Sequence, residues 1–201
     1  RSMLIAHLDS IGRNAHHLTG MPRAEAYMEV CRAYSNIQTD SAMAWLAKTE
    51  NLPIFSASSE LQTRVLIRRA EIYGIMGLYA SAQGTVEEID IANCADSIRL
   101  AYYQVCRKLY GWMADYGEVY GHKEHYSDLT QRCRDSILAI QHPGINRNIV
   151  LADRALTIGD ISLAKTVCAQ SLPKADELQQ AYLHFTMSGI AHAEQNTAEE
   201  I

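Results

Sequence analysis

The fold this sequence predicts is all-α: a right-handed superhelical solenoid of antiparallel helix hairpins, with about ten helices. Three observations predict it. Apolar residues recur at helical spacing, and no segment sustains the period of two that a strand needs. The 201 residues contain only 4 prolines and 11 glycines, which suits long helices. Finally, a short pattern returns. Tyr73, Gly77, Tyr79 and Ala82 are echoed by Ala155, Gly159, Ile161 and Ala164, with spacings of four, two and three in both copies.

The repeated pattern has a direct physical reading. A helix ends near the Gly, which can adopt the left-handed conformation a tight turn needs. The residue two later packs back on the first helix. The Ala sits where two helices cross, and only a small side chain fits there. Asp40-Ser41-Ala42 lies 40 residues before Ala82 and marks another such second helix. The units therefore average about 40 residues, longer than the ~34 of a minimal helical-hairpin repeat.

Taken in order, Leu4, Leu8, Ile11, Ala15 and Leu18 form one stripe on a helix over 3–19. Gly20 is placed to terminate that helix, and Pro22 to start the next. Further helices are expected at 22–37, 40–51, 59–77, 79–90, 95–117, 121–141, 145–158, 160–172 and 174–193. Ser59 and Gln62 form a capping box, Pro53 to Ser58 reads as a loop, and Pro143-Gly144 breaks the chain. The units are then a first helix at 1–20, hairpins at 22–53, 59–91, 95–142 and 145–173, and an incomplete fifth unit at 174–201, all in one domain. Thr197 and Glu200 make another capping box, with Ala198 one minimal repeat after Ala164. A helix starting there would lack room to finish, so the natural protein is expected to continue.

Composition narrows the function classes. The net charge of −5 argues against a nucleic-acid-binding surface. Arg64, Arg68 and Arg69 read as a solvated helix face. No stretch approaches the ~18 apolar residues that span a membrane. Cys31, Cys94, Cys106, Cys133 and Cys168 are odd in number, widely spaced and without CxxC, so neither zinc nor a disulfide framework is supported. Cysteines within helical patterns read as small hydrophobes. His122 and His125 sit at i and i+3 with no further ligand nearby except Glu124, on another face, and Asp128, and His16 and His17 diverge, so no metal is expected. GxSxG, HExxH and phosphate-binding glycine loops are absent. The acidic pairs Glu87-Glu88 and Glu199-Glu200 read as surface residues. The expectation is a non-catalytic domain without cofactor.

Tyr73-x3-Gly77-x-Tyr79-x2-Ala82 resembles the tetratricopeptide-repeat consensus. The third unit adds Tyr102-Tyr103, Leu109 through Tyr116, Tyr126 and Arg134 through Leu138. With Leu8-Asp9-x-Ile11, Asp40-Ser41-Ala42 and the run from Ala181-Tyr182 to Glu200, these resemble Bacteroidetes regulatory proteins. In those proteins such repeats precede a domain of the DUF6377 type. The resemblance covers nearly the whole chain. It implies a signal peptide, periplasmic repeats, a transmembrane helix and a cytoplasmic part proposed to regulate transcription. It brings no catalytic residues with it.

The resemblance also implies where a ligand would lie. In such solenoids the second, fifth, ninth and twelfth positions of each first helix face the concave surface. Aligning on Ala82 selects Arg64, Ile67, Glu71 and Gly74. Aligning on Ala42 selects Ala24, Tyr27, Cys31 and Tyr34, and on Ala164 it selects Asn146, Ile149, Asp153 and Leu156. In the long third hairpin Tyr103, Arg107 and Tyr110 share a face. Arg binds carboxylates bidentately and Tyr gives rigid contact area, so such a groove suits a peptide or a carboxylate. The competing reading makes these tyrosines packing between helices.

Two functions follow as expectations. One is a protein- or ligand-binding sensor segment of a membrane-anchored regulator, with a protein or peptide partner or self-association, and neither nucleic-acid contact nor membrane insertion by this segment. The other is a cytoplasmic adaptor. An enzyme hidden in an α-solenoid is the third and weakest reading.

Overall fold

The computed structural model describes residues 8, 10–117 and 121–199. All regular structure among them is helical. Leu4 and Glu200, used in the sequence reading, lie outside the described residues. Helical residues 10–14 run into a 3-10 turn at Ala15–His17. Ten α-helices with defined bounds follow: α1 Gly20–Tyr34, α2 Thr39–Glu50, α3 Pro53–Ala57, α4 Ser59–Ile75, α5 Tyr79–Glu87, α6 Asp96–Gly117, α7 Lys123–Ile140, α8 Ile145–Thr157, α9 Ile161–Ser171 and α10 Glu177–Glu199. The described chain forms two compact units, one up to Tyr126 and one from Ser127 onward, so the division falls within α7.

In the first unit α1 and α2 form a hairpin, α4 and α5 a second, and α6 packs on both helices of the second. Each helix buries a stripe. On α1 the stripe is Ala24, Tyr27, Met28, Cys31 and Tyr34; on α2 it is Ala42, Trp45, Leu46 and Thr49. α4 is buried on more than one side, as a helix with neighbours before and after it must be. Leu61, Val65 and Ile72 join the core of the first hairpin, and Gly74 lies against Trp112 of α6. A Cβ at Gly74 would stand 2.6 Å from the indole, so this position admits no side chain while Trp112 keeps its place. The Tyr27 and Trp45 rings sit 5.3 Å apart, and Lys48 Nζ lies 3.5 Å from the centre of the Trp45 ring.

In the second unit α8 and α9 form a hairpin and α10 packs on both. Ala152, Ala155, Ala164, Val167, Cys168, Leu183 and Ile190 make the core. The part of α7 in this unit is tied to α8 by Arg134 Nε donating to Asp153 at 2.9 Å and Arg154 Nε donating to Asp135 at 2.5 Å.

The repeated turn is reproduced bond for bond. Leu78 N–H donates to Tyr73 O at 2.9 Å, and Gly77 N–H to Gly74 O at 3.0 Å. In the other copy Asp160 N–H donates to Ala155 O at 2.9 Å, and Gly159 N–H to Leu156 O at 3.1 Å. This is the Schellman closure, which satisfies the last carbonyls of the helix and needs a left-handed residue. Gly77 and Gly159 supply it with φ of 76° and 80°. Ala42, Ala82 and Ala164 are all fully buried, as helix crossings demand.

Several details differ from the sequence reading. The segment 53–57 is a short helix with Pro53 at its first turn, not a loop. The cap of α4 is Ser58 rather than Ser59: its hydroxyl accepts from Leu61 N–H, and Gln62 Nε2 reaches back to Phe55 O at 3.0 Å. Tyr79 packs its ring on Tyr116 of α6, the next hairpin, at 5.3 Å, where the expected contact was with its own first helix. α10 continues through Thr197, so no new helix begins there.

Candidate binding groove

Three helices of the first unit, α1, α4 and α6, enclose a groove of about 330 Å³. Its apolar lining is Met28, Ile67, Ala101 and Val105, and its polar lining includes Glu25, Glu29, Arg32, Arg64, Arg68, Glu71 and Gln104. The charges are already paired. Arg64 holds Glu25 bidentately, its two terminal nitrogens donating at 2.5 and 2.6 Å across from α4 to α1. Arg32 donates to Glu29 at 3.0 and 2.5 Å within α1. Glu71 receives Arg68 from its own helix and Lys108 Nζ from α6 at 2.9 Å.

Glu71 is the centre of this arrangement, with a side chain only 14% exposed. Burial pushes its carboxyl pKa up, but the charges of Lys108 and Arg68 and their hydrogen bonds outweigh burial and hold it below the usual value. The hydrogen bond from Arg64 lowers Glu25 in the same sense, and that from Arg32 lowers Glu29. Energetically the pairs are unequal. Arg64 and Glu25, 30% and 46% exposed, are screened and worth about 0–1 kcal/mol. Leaving Lys108 and Arg68 without the less exposed Glu71 should cost about 1–3 kcal/mol.

The positions counted on α4 and those counted on its neighbours are placed differently. Arg64, Ile67 and Glu71 line this groove, while Gly74 is covered by Trp112. Tyr27 and Tyr34 do not: they are 3% and 2% exposed and belong to the core of the first hairpin, with Ala24 and Cys31. On α1 the groove is lined by Glu25, Met28, Glu29 and Arg32, of which Glu25, Met28 and Arg32 lie one position on from the selected residues. One residue rotates a helix face by about 100°. Tyr27 shows what the core does with a tyrosine: the ring packs on Trp45 and the hydroxyl lies 3.1 Å from His16 Nδ1.

The same correction applies on α6. Tyr103, Arg107 and Tyr110 are partly buried but do not line the groove, whereas Ala101, Gln104 and Val105 do, and Lys108 reaches its Glu71. Tyr103 pairs with Tyr102 at 5.5 Å, and Tyr110 stacks on Tyr126 at 6.4 Å. Arg64, Arg68 and Arg69 are not a merely solvated face either. Each is paired, with Glu25, Glu71 and Glu50 respectively, and two of these pairs join separate helices. In the second unit Asp153 is taken by Arg134, and Asn146 accepts from Gln179 of α10 at 2.9 Å. These two positions correspond to Glu71 and Arg64, 82 residues earlier, so both copies use them for polar contacts with another helix.

The remaining reactive groups sit in structural settings. Cys31, Cys106, Cys133 and Cys168 are buried and Cys94 partly so; burial pushes the Cys31 thiol up to about 11. His125 lies edge-on to Tyr126 at 5.1 Å. Among the described residues no three His, Cys, Asp or Glu side chains gather as a metal site would require, and no helix is long and apolar enough to cross a membrane.

No curated protein and no solved structure matches the chain. Residues 3–201 match the SusR N-terminal TPR domain. Since that match spans nearly the whole chain, the protein belongs to the family of SusR N-terminal TPR domains, tetratricopeptide repeats of the kind that mediate protein interactions.

Proposed function

We propose that the groove of α1, α4 and α6 holds a protein or peptide partner, and that the chain is the sensing or interaction segment of a membrane-anchored transcriptional regulator. The observation that carries the first part is the groove's construction. An apolar strip of Met28, Ile67 and Val105 is flanked by acidic and basic side chains that are oriented by one another. A partner meeting such a face finds its polar contacts already ordered, which reduces the entropy lost on binding. Arg68 Nε is buried without a hydrogen-bond partner among the described residues, a donor that a peptide carbonyl can satisfy.

The regulator reading rests on the family match together with the resemblance to proteins that carry a DUF6377-type domain after their repeats. On that reading the repeats are periplasmic; the alternative is a cytoplasmic adaptor.

The groove is tested by reversing charge at its edges. Arg32→Glu combined with Lys108→Glu should leave helicity intact and weaken capture of the partner at least 10-fold in co-purification from the source cells. Undiminished capture would count against the groove. Localisation is tested by fusing alkaline phosphatase to the natural gene product directly after the residue that corresponds to Ile201. Activity supports export; an inactive, stably expressed fusion favours the cytoplasmic adaptor.

A further inference from the structure

The charges of the groove are sorted along its length. α4 supplies residues to three successive layers. At one end Arg64 donates to Glu25 of α1. Ile67 follows one turn on, with Met28 and Val105 as its apolar companions, and the far end holds Arg68 and Glu71. The first end carries an excess of acid. Glu60 precedes Arg64 on α4 at i and i+4. The hydrogen bond to Glu25 raises the Arg64 pKa most, burial opposes it, and the charges of Glu25 and Glu60 raise it further. Two carboxylates therefore share one guanidinium. The other end carries an excess of base. Arg32 is held on Glu29, while Arg68 and Lys108 are held on Glu71. Glu29, lowered first by the hydrogen bond from Arg32, also feels the charge of Arg68. Three cations thus face two carboxylates.

We propose, resting on the reading of this groove as a peptide site, that its occupant is a free peptide of about three residues with both termini unblocked. Its amino terminus lies at Glu25 and Glu60, and its carboxylate at Arg68 and Lys108. Three features support this occupant. First, the two ends of the groove differ in sign, and a zwitterion with separated charges complements both at once. Second, the length matches. Arg64 and Glu71 lie about 10 Å apart along α4 at 1.5 Å per residue, and three extended residues span about 10 Å. Third, the volume of about 330 Å³ falls near the lower end of the ~300–1,000 Å³ of small-molecule sites. The apolar layer between the ends takes aliphatic side chains. Arg68 Nε, buried without a hydrogen-bond partner among the described residues, is a donor left for the carboxylate.

Isothermal titration calorimetry of the 201-residue chain with the tripeptide Leu-Ala-Leu tests this. The free tripeptide should bind with a Kd below about 1 mM. N-acetylation removes one charge and C-terminal amidation the other, and each should weaken binding about 10-fold. Glu60→Gln, at an exposed side chain, should weaken the free tripeptide and leave the acetylated one unaffected. Lys108→Gln should weaken the free tripeptide and leave the amide unaffected. Unchanged far-UV spectra and melts check that both variants fold. A free tripeptide that gives no binding heat up to about 5 mM overturns the inference. So do blocked tripeptides that bind as tightly as the free one, or an acetyl effect that Glu60→Gln leaves in place. The groove itself is judged separately: partner capture that the charge reversal abolishes, without tripeptide binding, keeps the groove and rejects this occupant.

Discussion

The turn after α4 and the turn after α8 lie 82 residues apart and are closed by the same pair of backbone hydrogen bonds around a left-handed glycine. The turn after α1 is different. It runs over residues 35–38, one residue longer, and contains no residue with positive φ; Ile37 and Gln38 N–H both donate to Tyr34 O at 2.9 Å. The extra residue shifts the count from the crossing alanine back into the first helix by one position. Counting back from Ala82 carries the helix register across a turn of known geometry, and Arg64, Ile67 and Glu71 fall in the groove. Counting back from Ala42 selects a buried face, and the groove residues Glu25, Met28 and Arg32 lie one position on from it, the opposite sense to the shift that the longer turn alone would give.

The largest expected effect tests what all three hairpins share. Ala42→Leu, Ala82→Leu and Ala164→Leu should each destabilise by about 1–3 kcal/mol through overpacking at a helix crossing. Denaturant melts in which all three variants match wild type would mean that the crossings are misassigned.

Next comes Glu71, the carboxylate that receives both Arg68 and Lys108. Glu71→Gln should cost about 1–2 kcal/mol at neutral pH. The sign with pH is fixed by the direction of the shifts. Glu25, Glu29 and Glu71 all have folded pKa values below the ordinary 4.5. Their stabilisation is therefore full above that value and is lost as pH falls through the folded values. Melts from pH 7 to 2 should show stability declining below 4.5, with a shallower decline in Glu71→Gln; parallel curves would contradict the role given to Glu71.

Of the same size, Gly77→Ala and Gly159→Ala should each cost about 1–2 kcal/mol, because an L-residue is strained at positive φ. Asn36→Ala, in the turn without a left-handed residue, should cost less than either. Equal losses at all three would erase the distinction between the turns. The smallest effect is chemical: in the native protein a thiol reagent at pH 8 should modify Cys94 well before Cys31, whose thiol is buried with its pKa at about 11.

Much of this architecture can be read from the residues. The helices follow from apolar stripes, and the two matching turns from Gly77 and Gly159 with their crossing alanines. The short helix α3 escapes because five residues are too few to show a period. The groove is readable only on α4. On α1 tyrosine misleads, since its ring suits a core and its hydroxyl suits a rim; Tyr27 is placed in the core because His16 can meet the hydroxyl there. On α6 the signal lies in Gln104 and Lys108, at i and i+4, while the aromatic residues beside them draw attention to the wrong face. The pairing of Arg64 with Glu25 spans 39 positions and leaves no local trace in sequence.

On the proposed function, α1, α4 and α6 together present the partner-binding surface. Site-specific photocrosslinking tests it most directly, with the crosslinker at Gln104 in the groove, at Tyr27 in the core and at Thr166 on the exposed side of α9. A partner adduct is expected from Gln104 alone, abolished by Arg32→Glu with Lys108→Glu. Adducts of equal yield from Thr166 and Gln104, or an adduct from Gln104 that survives the charge reversal, would contradict it.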